Sequence, residues 1–167
     1  MRYLIIGGAG IFAIHTIKEI LSHKETSKVL SIGRNPQRSN AFTLGVGEGD
    51  ERYSYRQMHL KFEIDFLTDL VEDFKPDLIL AVGGGAIIDY AKIANVVDVR
   101  DDLKDLIVNY KYPFKNKYTK LAVTPTTAGS GAEVTSNAVI YVDGIKHSFE
   151  GDLLIPDNFF LIPEFLL

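Results

Sequence analysis

The sequence predicts an α/β fold in a single domain, a doubly wound parallel sheet carrying a small β-hairpin. Three observations carry that prediction. Apolar runs of strand length alternate with stretches of helical periodicity. Two of these runs, Tyr3-Leu4-Ile5-Ile6 and Leu78-Ile79-Leu80-Ala81-Val82, end in glycine turns, Gly7-Gly8-Ala9-Gly10 and Gly83-Gly84-Gly85, that open helical segments. The 167 residues suit one domain, a size that buries roughly 70% of the surface its unfolded chain exposes.

Taken in order, residues 2–6 read as a buried strand, and 11–21 as a helix with Ile11, Ile14, Ile17, Ile20 and Leu21 at helical spacing. A second apolar run, 29–32, ends in Gly33-Arg34-Asn35-Pro36, where proline cannot continue the ladder. Residues 36–53, polar and holding Gly45, Gly47 and Gly49, read as a surface loop, and 55–60 as a strand. Phe62, Phe66, Leu70 and Phe74 recur every four residues, predicting an amphipathic helix over 62–74 that stops before Pro76. Strand 78–82 feeds a helix over 86–97, followed by a charged helical stretch, 100–108, an aromatic and basic loop, 110–118, and a buried strand, 121–123. Residues 139–142 and 145–149 flank Asp143-Gly144, a pair that tolerates the positive φ of a type I′ hairpin. A 3-2-1-4 strand order would put the first and fourth strands at the switch point, so both glycine turns would open onto one crevice.

Composition narrows the partners. A formal net charge of −4 and a pI near 5.5 argue against nucleic acid or an anionic membrane surface. The lack of cysteine excludes disulfides, thiolate metal sites and a cysteine nucleophile, and fits a reducing compartment. No apolar run approaches the ~20 residues of a spanning helix, so a cytoplasmic location is expected. His15, His23, His59 and His147 form no i, i+4 pair and read as surface or helix residues rather than ligands, so no bound divalent metal is expected. The apolar end, Phe159-Phe160-Leu161-Ile162-Pro163-Glu164-Phe165-Leu166-Leu167, predicts a homo-oligomer.

The two turns carry the chemistry. A glycine turn lets backbone approach an anion, and the helix that follows presents free N–H groups and the positive end of its dipole. Gly8-Ala9-Gly10-Ile11-Phe12-Ala13 fits G-x-G-x-x-A, making Gly8 and Gly10 candidate phosphate contacts; the alternative is an ordinary tight turn. Where an acid would meet the ribose of NAD, the chain offers Gly33 and Arg34. A guanidinium there suits a 2′-phosphate, favouring NADP if this turn carries the cofactor, or is a solvated loop charge. Residues 1 to about 75 resemble the extended short-chain dehydrogenases, the nucleotide-sugar epimerases and dehydratases. The match departs at Ala13, where that family has glycine, and none of the eight tyrosines has lysine four positions later, as its catalytic pair requires.

In Gly83-Gly84-Gly85-Ala86-Ile87-Ile88-Asp89-Tyr90-Ala91-Lys92, Asp89 and Lys92 share a helix face. The carboxylate can hold the loop or a ribose hydroxyl; the alternative is a helix-surface ion pair. Thr124-Pro125-Thr126-Thr127-Ala128-Gly129-Ser130-Gly131-Ala132-Glu133-Val134-Thr135 collects hydroxyls and flexible backbone after a buried strand. Together these segments resemble the iron-containing alcohol dehydrogenases, over roughly residues 76–167. The resemblance implies that Gly84, Gly85 and Asp89 line a nucleotide site, that Thr126, Thr127 and Ser130 contact NAD or NADP, and that Lys146 reaches the cofactor. Departures are Ala86 for the usual serine and Ile162-Pro163-Glu164, where aspartate precedes the proline in that family. It also implies a metal bound by a separate all-helical domain beyond residue 167, so this chain is expected to be the dinucleotide-binding domain of such an oxidoreductase, from a sugar or polysaccharide pathway, incomplete for catalysis alone and with no catalytic residue assigned. The two resemblances meet near residues 62–82, as a hybrid or as a divergent branch of the metal-dependent family. Rival readings are a nucleotide-sugar epimerase or dehydratase fragment and a non-catalytic fold with a vestigial site.

Overall fold

In a computed structural model, residues 1–7, 10–34, 49–58, 64–98, 100–111 and 114–166 are described. Their elements run β1 (Arg2–Ile6), α1 (Ile11–Ser22), β2 (Lys28–Gly33), β3 (Tyr53–Gln57), α2 (Ile64–Phe74), β4 (Leu78–Gly83), α3 (Gly85–Ala94), α4 (Leu103–Val108), β5 (Lys120–Pro125), β6 (Asn137–Val142), β7 (Ile145–Glu150) and β8 (Asn158–Phe159). The main sheet has the order β3-β2-β1-β4-β5-β8 with every pairing parallel, so β1 and β4 are adjacent at the point where the order reverses, as expected.

Strand alternation sorts the core into two layers. Leu4, Ile6, Ile79, Ala81, Leu121 and Val123 face α2, α3 and α4. Their neighbours Ile5, Leu80, Val82 and Ala122 face α1 through Ala13, Ile17 and Leu21. Burial on both faces is why these strands read as unbroken apolar runs. The hairpin β6–β7 forms a separate two-stranded sheet, with Ala138, Ile140 and Phe149 buried against the α3 layer. Asp143 (φ 50°) and Gly144 (φ 79°) make its turn with both central residues in the left-handed region.

Several boundaries differ from those predicted. The strand expected at 55–60 is Tyr53–Gln57, because it pairs in register with β2, Val29 opposite Tyr53 and Gly33 opposite Gln57. The helix expected to 97 ends at Ala94: Asn95 caps it, and the Asn95 side chain exchanges hydrogen bonds with Thr119 (2.9 and 3.1 Å), turning the chain toward β5. The charged stretch becomes helical only at Leu103. Strand β8 was not anticipated, since two residues show no period. Asp157 sets it in place, its Oδ2 accepting from the Leu121 amide (2.9 Å) and from Lys117 Nζ (3.1 Å). Leu60, Phe62, the side chain of Phe66 and most of the glycine-rich loop fall outside the described residues.

Candidate functional site

At the carboxyl edge of the sheet, β1 turns through Gly7 at φ 88°. A β-carbon there would overlap the Val82 carbonyl oxygen, so only glycine lets this turn cross the end of β4. The Gly7 amide donates to Ile32 O and the Gly10 amide to Gly7 O (3.0 Å each), and Gly10 caps α1. Gly84 caps α3 in the same way, and no side chain caps either helix. The first-turn amides of both helices therefore face the same space.

That space is a crevice of about 620 Å³, within the size range of small-molecule and cofactor sites. Gly7, Gly10, Arg34, Gly84 and Thr126 line it over an apolar floor that includes Ile6, Ile32, Val82 and Ile87. Both glycine turns thus meet in one crevice, as the strand order required. Gly8, the other candidate in the first turn, lies outside the described residues.

The hydroxyl-rich segment lies over the second turn. The Thr126 amide donates to Gly83 O (2.9 Å). A β-carbon on Gly84 would come within 3.1 Å of Thr127 Oγ1, and one on Gly85 within 2.9 Å of Ser130 Cβ, so both glycines make room for this segment. Thr127, Ser130 and Gly85 therefore flank the crevice beside Gly84 rather than line it.

Asp89 and Lys92 are placed differently from either reading of them. They are not a helix-surface pair, because the Lys92 side chain has 0% exposure and lies 4.0 Å from Asp89 Oδ1. Neither lines the crevice. Asp89 Oδ2 accepts from the Val139 amide (3.1 Å), tying α3 to the hairpin. Burial raises the Asp89 pKa above the ordinary carboxylate value, opposed by that amide and by Lys92 and Lys146. Burial likewise lowers that of Lys92, with Asp89 and Glu133 opposing. Desolvation outweighs the long ion pair in both groups. Lys146 is exposed on β7 and acts on Asp89 rather than bordering the crevice.

His15 and His23 are exposed as predicted, but His147 is buried at 4% exposure, because β7 turns it inward beside Phe149. Its ring packs 5.8 Å from that of Tyr110. Among the described residues no three His, Asp or Glu side chains come together in a way that could hold a metal ion. Sequence reasoning missed Ile87, which forms part of the floor and would sit 2.7 Å from a β-carbon on Gly83. It also missed the burial of Lys92, since a charge spaced three residues from an acid looks like a solvated pair.

A family model described as iron-containing alcohol dehydrogenase matches residues 59–163. The aldehyde-alcohol dehydrogenase of Streptococcus pneumoniae is 39% identical over 83 residues, 44% of this chain and 9% of that protein. The 4-hydroxybutyrate dehydrogenase of Clostridium kluyveri is 37% identical over 108 residues, 61% of this chain and 28% of that protein. Among solved structures, sulfoacetaldehyde reductase from Bifidobacterium kashiwanohense in complex with NAD+ matches with a TM-score of 0.64 at 22% identity, covering 99% of this chain and 45% of that one. The NADH-dependent butanol dehydrogenase A of Thermotoga maritima matches at 0.62 and 18%, covering 99% and 43%. This chain spans less than half the length of each of these proteins. The structural matches extend through residues 1–58, which the family model leaves out, so the N-terminal part shares the fold.

Proposed function

The chain belongs to the iron-containing alcohol dehydrogenase family, and from that premise we propose that it is the dinucleotide-binding part of an oxidoreductase, taking NAD or NADP between its two glycine turns. One observation carries the reading: two uncapped helix N-termini and the Thr126 loop converge on a single crevice of about 620 Å³. A bound nicotinamide dinucleotide supplies hydride transfer. In this reading Gly84, Gly85 and the α3 amides receive the pyrophosphate, and the hydroxyls of Thr126, Thr127 and Ser130 bond its oxygens or the ribose. Gly10 and Arg34 face the adenosine end, where the guanidinium suits a 2′-phosphate. Asp89 acts through the hairpin it holds, with the exposed Lys146 of β7 beside it. Any metal the reaction needs comes from outside the described residues, and catalysis requires more than this chain.

Calorimetric titration of NAD+ and NADP+ tests the reading. Gly84→Val drives a branched side chain against Thr127 beside the backbone that meets phosphate, and is expected to fold yet lose dinucleotide binding. Arg34→Ala is expected to weaken NADP+ about tenfold, the loss of one charge-assisted contact, with a smaller effect on NAD+. A folded Gly84→Val that binds like the parent, beside a folded Gly10→Val that does not, would move the pyrophosphate to the first turn. A parent that binds neither dinucleotide would leave the vestigial reading.

A further inference from the structure

The segment 126–137 is anchored at both ends and packs into the core between them at Ala132, leaving 127–130 exposed. Its front is tied by the Thr126 amide to Gly83 O (2.9 Å). At its rear, Lys92 Nζ donates to Thr135 O and Asn137 O (2.8 Å each) and to Thr135 Oγ1 (3.4 Å). Residues 127–130 are exposed, and no hydrogen bond among the described residues ties them to β4 or α3. Yet Thr127 and Ser130 occupy the space that β-carbons on Gly84 and Gly85 would need. Their position over the N-terminus of α3 is therefore set by these ties and by the burial of Ala132, and at the rear the Lys92 ammonium is joined by the Gly151 amide, which donates to Ser136 O (2.9 Å).

We propose that Lys92 is a positioning residue for the nucleotide site: its buried ammonium holds the rear of this strap so that Thr127 and Ser130 stay over the second glycine turn, and dinucleotide affinity depends on that hold. The proposal rests on the crevice being the nucleotide site. An ammonium has three donors, and three acceptors surround this one, two of them main-chain carbonyls that an apolar side chain would leave without their donor. Burying a charge is costly, which makes Lys92 a poor choice for mere filling of the core. Asp89 offsets part of that cost from 4.0 Å while its other oxygen holds Val139, so the strap and the hairpin behind it are fastened to one face of α3.

Lys92→Met keeps length and removes the donors. Hydrogen exchange on the unliganded protein is expected to quicken at least tenfold in the peptide covering 126–137 while β1 and β4 stay protected. NAD+ affinity by calorimetry is expected to fall about tenfold, measured well below the unfolding temperature so that a purely structural loss would not register. Lys92→Arg, which retains donors, is expected to recover most of the affinity. Unchanged strap exchange, or faster exchange with unchanged affinity, would overturn the proposal. If Lys92→Met does not fold, Thr135→Gly loosens the same anchor at an exposed residue, and unchanged affinity there would overturn it equally. A parent that binds no NAD+ refutes the nucleotide reading and the affinity half of this proposal, while the exchange comparison still decides whether Lys92 holds the strap.

Discussion

Gly7 and Gly10 stand three residues apart in one glycine-rich turn, yet they answer to different constraints. Gly7 has φ 88° and no room for a β-carbon against the Val82 carbonyl, whereas Gly10 has φ −75° and a β-carbon there would lie 3.4 Å from Gly7 O. Gly7→Ala is therefore expected to cost more than about 3 kcal/mol, combining left-handed strain with a backbone clash. Gly10→Ala should stay within about 1 kcal/mol of the parent. Urea unfolding of both variants checks this, and equal losses would show that the crossing of β1 over β4 does not set the glycine.

Among the elements, α1 is held at its C-terminal end from a distance in sequence. The Arg52 guanidinium donates to the carbonyls of Leu21 (2.7 Å), Thr26 (3.3 Å) and His23 (3.4 Å), and is itself held by Asp50 at 2.6 Å. A cation at a helix C-terminus meets the negative end of the dipole. The hydrogen bond from Arg52 lowers the Asp50 pKa from 3.8 to about 2. A depressed carboxylate contributes stability that is present above pH 3.8 and is lost as pH falls toward 2. Asp50→Asn should lower the thermal midpoint at pH 7 and flatten the acid limb, so that the variant and parent profiles converge as pH falls toward 2. An unaltered acid limb would remove Asp50 from the linkage.

For the whole molecule, the apolar end is only partly used by the fold. Phe165 stacks on Phe12 with ring centroids 4.1 Å apart, and the Phe160 amide donates to Val123 O, but Phe159, Phe160 and Leu161 remain 47%, 54% and 57% exposed beside the short edge strand β8. We propose self-association through this patch. Light scattering should report a species larger than a monomer, and Phe160→Ser with Leu161→Ser should reduce its mass; a strict monomer at high concentration would exclude the proposal. For the chain by itself, iron and zinc are expected at well below one equivalent after chelation and gel filtration, since no ligand cluster forms among the described residues. A stoichiometric metal signal would contradict that.

Much of this architecture is legible in one dimension. Apolar runs buried on both faces mark β1, β4 and β5, glycines mark the turns into α1 and α3, and Asp143-Gly144 marks the hairpin, because each depends on local periodicity or backbone freedom. Given the common 3-2-1-4 order, the meeting of the two glycine turns follows; that this order is the one adopted is shown by the strand pairings. Other features depend on contacts between residues far apart in sequence. β8 exists because Asp157 reaches Leu121, and His147 is inside because β7 packs on the α3 layer. Whether Lys92 meets water or the strap, and whether Asp89 faces the crevice or the hairpin, depends on where the chain returns more than forty residues later. A charged side chain carries no mark in the sequence of which neighbours will desolvate it, so those roles were decided only when the tertiary fold closed around them.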